Sequence, residues 1–252
     1  MPAVLLFPAG LLLGSFATAV AHRVPRGESF VGGRSRCPHC GETIAAYDNV
    51  PLLSWLLLRG RCRHCAGPIS PRYPLAELSM AVLFTATALV LGTGDPAELA
   101  LGLAFCALLV TVTLTDLERR VIPNSILLVG AAIAVGIVAA TDPASLGERA
   151  VAALGGGGVL LAAALAYPRG MGMGDVKLAA VMGLYLGKAV APAILVALLA
   201  GGLVGIALML RHGAGARKRA LPFGPFLALG GVVGLLAGNE ILDWYLDSFL
   251  RG

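Results

Sequence analysis

The sequence predicts an all-α, polytopic membrane protein of about eight transmembrane helices with a small zinc-stapled loop. Three observations lead there. The 252 residues are 58% hydrophobic and only 13% charged, a balance that excludes an ordinary soluble domain. Apolar runs of membrane-crossing length recur along the whole chain. The one long polar stretch, about fifty residues between the first two runs, carries two pairs of cysteines.

Taken in order, the runs fall near 3–21, 74–94, 97–115, 121–140, 149–167, 176–188, 190–210 and 222–241; all but the short sixth are close to the roughly 17–25 residues that a crossing helix needs. The first is expected to be a retained helix. Its SFATAVA resembles a cleavage site, but MPAVLL lacks the cationic start of a signal peptide and the positive charge follows the apolar run. Gly155 to Gly158 lie inside the fifth run, with no strand before them and no Lys-Ser/Thr after them. They read as a close helix-packing surface, not a nucleotide loop. The stretch 176–210 could be one tilted helix or two short ones joined at Gly187–Pro192. Cations flank both of its ends, Arg169 and Lys177 on one side and Arg211, Arg217, Lys218 and Arg219 on the other. Cationic flanks favour the cytoplasm, so the number of crossings between them is even.

Eight spans with both termini outside put 16 of the 19 Lys/Arg on the cytoplasmic side: eight in 23–72, Arg119 and Arg120, Arg169 and Lys177, and four in 211–219. Arg149, Lys188 and Arg251 remain outside. Topology and lipid contact therefore account for the net charge of +5, and no nucleic-acid partner is called for.

The polar stretch contains Cys37-Pro-His-Cys40 and Cys62-Arg-His-Cys65, separated by 21 residues. Two C-x-x-C pairs at such a spacing suit one tetrahedral zinc ion. Disulfides are the competing reading, disfavoured because the loop is cytoplasmic and thiols there stay reduced. Four thiolates leave no open coordination position, so the metal is structural, and it would fold a loop too poor in apolar residues to hold itself together. His39 and His64 are expected to support the site or face solvent, and Cys106, alone in the third run, to be a packing residue.

Seven acids, Asp95, Glu98, Asp142, Glu148, Glu240, Asp243 and Asp247, read as solvated helix ends. Asp116, at the end of the third run, and Asp175, in GMGMGDVKL at the start of the sixth, share the cytoplasmic edge. Carboxylates at that boundary are costly unless they face water, and two that converge can divide the work of acid and base. Gly172 and Gly174 would let the backbone unwind and an extended peptide approach. The bland alternative makes Asp175 a helix cap and pairs Asp116 with Arg119 or Arg120. Glu77, in PRYPLAEL, anchors the second run through the helix dipole or serves methyl transfer or amine recognition.

Gly172-Met173-Gly174-Asp175 is a GxGD sequence, and the chain resembles the type IV prepilin peptidases, intramembrane aspartyl proteases. The likeness runs from Gly14-Ser15-Phe16 through CPHC, YDNVPLLSWLLLRGRCRHC, PRYPLAEL and GMGMGDVKLAAVMGLYLG to LPFGPFLALGG. It implies that Asp116 and Asp175 are the catalytic pair. It also implies that the substrate is the leader of a type IV prepilin or pseudopilin, cut after a glycine at the cytoplasmic face of a bacterial inner membrane, with lateral entry from the bilayer. Many bacterial members are also N-methyltransferases that use S-adenosylmethionine, and members that lack the tetracysteine loop are peptidases only, so the loop kept here favours both activities; no residue is assigned to the methyl donor. Two positions depart from the pattern. Thr18 stands where asparagine is usual, and Val121-Ile122-Pro123-Asn124 replaces an LPD form; the first bears on methylation more than on proteolysis.

The expected division is 1–73, first helix plus zinc loop, and 74–252, the multi-helix peptidase region. A peptidase without methyl transfer, an ion- or proton-coupled transporter using the same acids, and a zinc-containing scaffold are the alternatives.

Overall fold

The computed structural model describes residues 3–29, 35–167, 171–212 and 222–249. The described residues form α1 (Leu6–Arg23), a short α2 (Leu53–Leu57), α3 (Arg72–Leu91), α4 (Pro96–Arg119), α5 (Asn124–Thr141), α6 (Leu146–Ala166), α7 (Met173–Leu186), α8 (Val190–His212) and α9 (Gly224–Phe249). No strand occurs among them; two isolated bridges, Arg36 with Thr43 and Arg61 with Pro68, lie in the loop between α1 and α3.

Seven helical runs are long and apolar enough to cross a bilayer. The sixth, Met173–Arg211, has 39 residues, about 58 Å of helix at 1.5 Å per residue, which is too long for one crossing. It is broken at Gly187, whose φ of 55° and ψ of −134° suit glycine alone. Arg149 caps the break, its Nη1 donating to the carbonyls of Leu184 at 3.0 Å and Tyr185 at 2.7 Å. Two helices joined there, as the charge argument required, bring the long helices to eight.

The helices pack in close pairs, α1 along α3, α6 along α7 and α8 along α9, with α4 at the centre against α1, α3, α5 and α9. Small residues make the pairs possible, since helices in lipid associate by close packing rather than by exclusion of water. A Cβ on Gly10 would lie 2.5 Å from the Ala81 Cα, and one on Gly14 2.6 Å from the Glu77 Cα. Gly183 abuts the Ala153 backbone, and Gly230 abuts the Ala193 carbonyl. Of the four glycines at 155–158, Gly156 and Gly157 meet Ala179 and Ala180 across the α6–α7 seam, while Gly155 and Gly158 face open space. The packing surface foreseen for GGGG is therefore half of that run. Phe105, Leu109, Leu160, Leu178, Met182 and Leu227 fill the interior.

Helix ends differ from the expected runs where the site lies. α4 continues past 115 to Arg119, closed by Arg120 in the left-handed region with its N–H on the Asp116 carbonyl at 2.8 Å. α7 begins at Met173, three residues earlier than expected. Both acids are thus inside helices, not beyond their ends. α9 runs on to Phe249, and Trp244, Tyr245 and Phe249 cluster there as interfacial aromatics do. Cys106 is a buried packing residue whose Sγ lies 3.4 Å from Thr87 Oγ1. Lys188 and Asp243 pair at 4.0 Å at one end of the bundle, and Arg26 and Glu118 pair at 3.1 Å at the other. Arg34, Arg169, Gly170, Arg217, Lys218, Arg219 and Arg251 lie outside the described residues.

Candidate acid pair and metal centre

Asp116 and Asp175 are both buried, 5% and 8% exposed, although each is ionisable. Their positions follow from helix ends. Asp175 occupies the first turn of α7 and accepts the Gly172 N–H on Oδ2 at 3.1 Å. That is one half of a capping box; the glycine has no side chain to return the other. Asp116, one turn from the end of α4, accepts the Gly224 N–H on Oδ2 at 2.9 Å. Gly224 opens α9 and is followed by Pro225, the usual order at a helix start. Each carboxylate is therefore held by a glycine N–H at a helix N-terminus, where the dipole favours negative charge. Ile122, just beyond the end of α4, packs on Gly174 next to Asp175, so the two acid-bearing turns adjoin.

Glycine leaves these contacts tight, so that any side chain would displace a neighbour. A Cβ on Gly224 would lie 2.7 Å from Asp116 Oδ2, and one on Gly174 3.1 Å from the Ile122 Cβ. Val121-Ile122-Pro123 thus passes against the GxGD turn, and Lys177 Nζ donates to Asn124 Oδ1 at 3.0 Å just beyond it. Beside Asp116 on α4, Glu118 Oε1 receives Arg26 Nη2 at 3.1 Å and lies 3.2 Å from His22 Nδ1, which ties the end of α1 to the acid-bearing helix. The capping reading holds for Asp175, which does cap α7. Among the described residues no ion pair joins Asp116 to Arg119 or Arg120.

The four loop cysteines come together. The Sγ atoms of Cys37, Cys40, Cys62 and Cys65 all lie within 4.8 Å of one another, and Cys37 and Cys65 are 3.8 Å apart. A tetrahedron with ~2.3 Å metal–sulfur bonds has edges of about 3.8 Å, so the cluster is of a size to hold one metal ion. Two matching knuckles build it. In the first, Gly41 N bonds the Cys37 carbonyl, Cys37 N the Glu42 carbonyl and Ile44 N the Ser35 carbonyl. The second repeats this with Ala66, Cys62, Gly67, Ile69 and Gly60. Ser35–Ile44 and Gly60–Ile69 are thus one unit used twice, a repeat present in the sequence as SRCPHCGETI and GRCRHCAGPI. Backbone N–H groups of Cys40 and His39 bring the Cys37 thiol down to about 7, and those of Cys65 and His64 lower that of Cys62. Both histidines are exposed, and the His39 ring lies over Gly67. Asp48 takes a two-nitrogen contact from Arg63 at 2.6 to 3.1 Å, which holds its carboxyl below the ordinary range.

Glu77 lies beyond the first turn of α3, so it does not anchor the helix start through the dipole. It is 7% exposed, lies against Gly14 of α1, and accepts the Leu52 N–H from the loop on Oε2 at 2.7 Å. Gly224, Ile122 and Leu52 are the contacts that sequence reasoning missed. Only Gly224 carried a signal, the Gly-Pro that starts a helix.

A family model described as the bacterial peptidase A24 N-terminal domain matches residues 9–91, and one described as the type IV leader peptidase family matches residues 103–210. A protein of Aeromonas hydrophila named prepilin leader peptidase/N-methyltransferase is 37% identical, over 98% of this chain and 94% of that one. One of the same name from Bacillus subtilis (strain 168) is 37% identical over 98% of each. Another, from Myxococcus xanthus, is 41% identical over 84% of this chain and 64% of its own. No solved structure matches. None of these relatives is named a transporter, and nothing in the comparisons supports that alternative.

Proposed function

The chain belongs to the type IV leader peptidase family, and from that premise we propose that it removes the leader peptide of type IV prepilins or pseudopilins and N-methylates the new amino terminus. It is an aspartic endopeptidase and methyltransferase embedded in the bacterial inner membrane. We propose that the loop and both acids lie on the cytoplasmic side, with the termini outside, as the distribution of Lys and Arg requires.

One observation carries the catalytic assignment: two buried carboxylates from different helices, each held by a backbone N–H, on turns that meet where Ile122 packs on Gly174. In the reading proposed, one carboxylate takes a proton from water as the oxygen attacks the scissile carbonyl. The other carboxyl protonates the departing amine, and the peptide bond is replaced by an acid and an amine. Coupled acids titrate as a pair, so the two roles belong to Asp116 and Asp175 jointly. Gly172, just before α7, is extended and leaves the approach to Asp175 without a side chain, whereas Gly174 is helical and packs on Ile122 instead of unwinding. Entry would be lateral, from the bilayer; a groove of about 370 Å³ between α5 and α7, with Lys177 and Asn124 at one end, lies beside the Asp175 turn but is not lined by either acid.

Cys37, Cys40, Cys62 and Cys65 would hold zinc, which closes the loop and takes no part in bond cleavage. The methyl group would come from S-adenosylmethionine, and no residue is assigned to that donor. The labour is divided between 1–73 for methyl transfer and 74–252 for proteolysis. The test is cleavage of a prepilin-like peptide by purified protein in nanodiscs: Asp116→Asn and Asp175→Asn should each lower the rate by roughly 10²–10⁴-fold with folding intact. Normal cleavage by both variants would end the protease assignment.

A further inference from the structure

The loop segment that leads into α2 is anchored inside the membrane-spanning part of the molecule. Its Leu52 N–H bonds Glu77 Oε2 at 2.7 Å. Glu77 lies five residues into α3 from Arg72, about 7.5 Å along the axis at 1.5 Å per residue. Measured on α1, its neighbour Gly14 lies nine residues from Arg23, about 13.5 Å by the same rise. Irregular backbone at that depth must have its polar groups satisfied by protein, and the Glu77 carboxylate does this for Leu52. Leu52 itself has a φ of 62° and a ψ of −50°, the centre of a tight turn closed by the Leu53 N–H on the Pro51 carbonyl, a conformation that a bulky residue adopts only when held there.

The next turn carries an apolar face with no protein against it. Leu53, Leu56 and Leu57 of α2 are 57%, 54% and 80% exposed, while Ser54 on the other face is buried and hydrogen-bonded to the Tyr47 carbonyl. From Val50 to Arg72 the chain has four arginines and no acid. Arg63 is taken up by Asp48, but Arg59, Arg61 and Arg72 are exposed. A cationic leader peptide would be repelled by this surface, whereas anionic headgroups complement it.

We infer that Val50–Leu58 is a membrane-docking element: α2 lies in the headgroup–acyl boundary with its leucines in lipid, clamped by Glu77, and fixes the metal centre at the bilayer surface. The link to the metal centre is direct. Trp55 Nε1 donates to the Ile69 carbonyl at 3.1 Å, and Gly60 N, which opens the second knuckle, donates to the Trp55 carbonyl at 2.8 Å. The inference rests on α1 and α3 crossing the membrane and not on the identity of the catalytic acids.

The test uses full-length, zinc-loaded protein in nanodiscs of phosphatidylcholine with phosphatidylglycerol. Trp244, at the far end of α9, is replaced (Trp244→Phe), which leaves Trp55 as the background emission, and Leu57→Trp on that protein adds a reporter at an exposed position, read as the difference between the two proteins. Metal analysis confirms the loop. An interfacial helix buries its apolar face about 5–10 Å deep, so lipids brominated high on the acyl chain should quench the added emission about twofold, while acrylamide in water should not. Quenching by acrylamide with none from brominated lipid would overturn the inference. So would loss of lipid quenching when prepilin peptide is added, which would give the face to substrate. Neither result depends on cleavage, so failure here is distinct from failure of the protease assignment.

Discussion

At the scale of single residues, the acid pair depends on two glycines outside the aspartates themselves. A methyl group at Gly224 would sit 2.7 Å from Asp116 Oδ2 and push the carboxylate from its N–H anchor. Gly224→Ala should therefore lower cleavage by roughly a hundredfold, the cost of misplacing a reacting group by about an ångström, with little change in melting temperature. Gly172→Ala should do less, because its Cβ would lie 3.3 Å from Asp175 Oδ2. Initial rates on a prepilin-like peptide, with melting curves alongside, check both; a Gly224→Ala enzyme as fast as the native one would deny the anchor any role. Ala66 is the mirror case. It adopts a φ of 56° where its counterpart Gly41 has 72°. Ala66→Gly should relieve about 1 kcal/mol of left-handed strain and slow metal loss to a chelator, read as the zinc release rate. The aspartates and the cysteines were legible in the sequence because their chemistry is rare inside a membrane or has a fixed spacing. Gly224 was not, since its hydrogen bond spans 108 positions and no local pattern encodes the partner.

Helices were the easier reading, since a crossing run announces itself by length and lack of charge, and positive charge decided that 173–211 must turn back. What composition could not supply is which side of a helix meets another. Gly155–Gly158 look alike in the sequence, yet only Gly156 and Gly157 face α7. This makes a paired prediction. Gly158→Ala fills open space and should stabilise by up to about 1 kcal/mol through helix propensity. Gly183→Ala, set against the Ala153 backbone, should destabilise by about 1–3 kcal/mol as α6 and α7 are forced apart. Thermal unfolding of both variants in one detergent decides it; equal shifts would mean that the seam is looser than its geometry. The loop's doubled unit shows a different limit. SRCPHCGETI and GRCRHCAGPI align by eye, but the cysteine spacing draws attention to four positions and hides the ten-residue repeat that holds them.

For the whole molecule, the question is how far the two halves depend on each other. Asp116 and Asp175 take their anchors from Gly224 and Gly172, and neither bond involves the cysteine loop. The loop meets the helices through Glu77, at the α1–α3 pair, while Glu118 with Arg26 joins that pair to α4. Four thiolates around one ion contribute folding energy outright, so stripping the metal should unfold the knuckles and leave the bundle standing. Treating the protein with a zinc chelator should then lower methylation by roughly a hundredfold while cleavage stays within about threefold, and added zinc should restore both. Cys37→Ser should reproduce the loss without the rescue. Mass spectrometry of one reaction separates the outcomes, because leader removal and the methyl increment are read on the same product. If the two activities fall together, the clamp at Glu77 and the Glu118 pair must transmit loop order to the acids, and the division of labour at residue 73 would have to be given up.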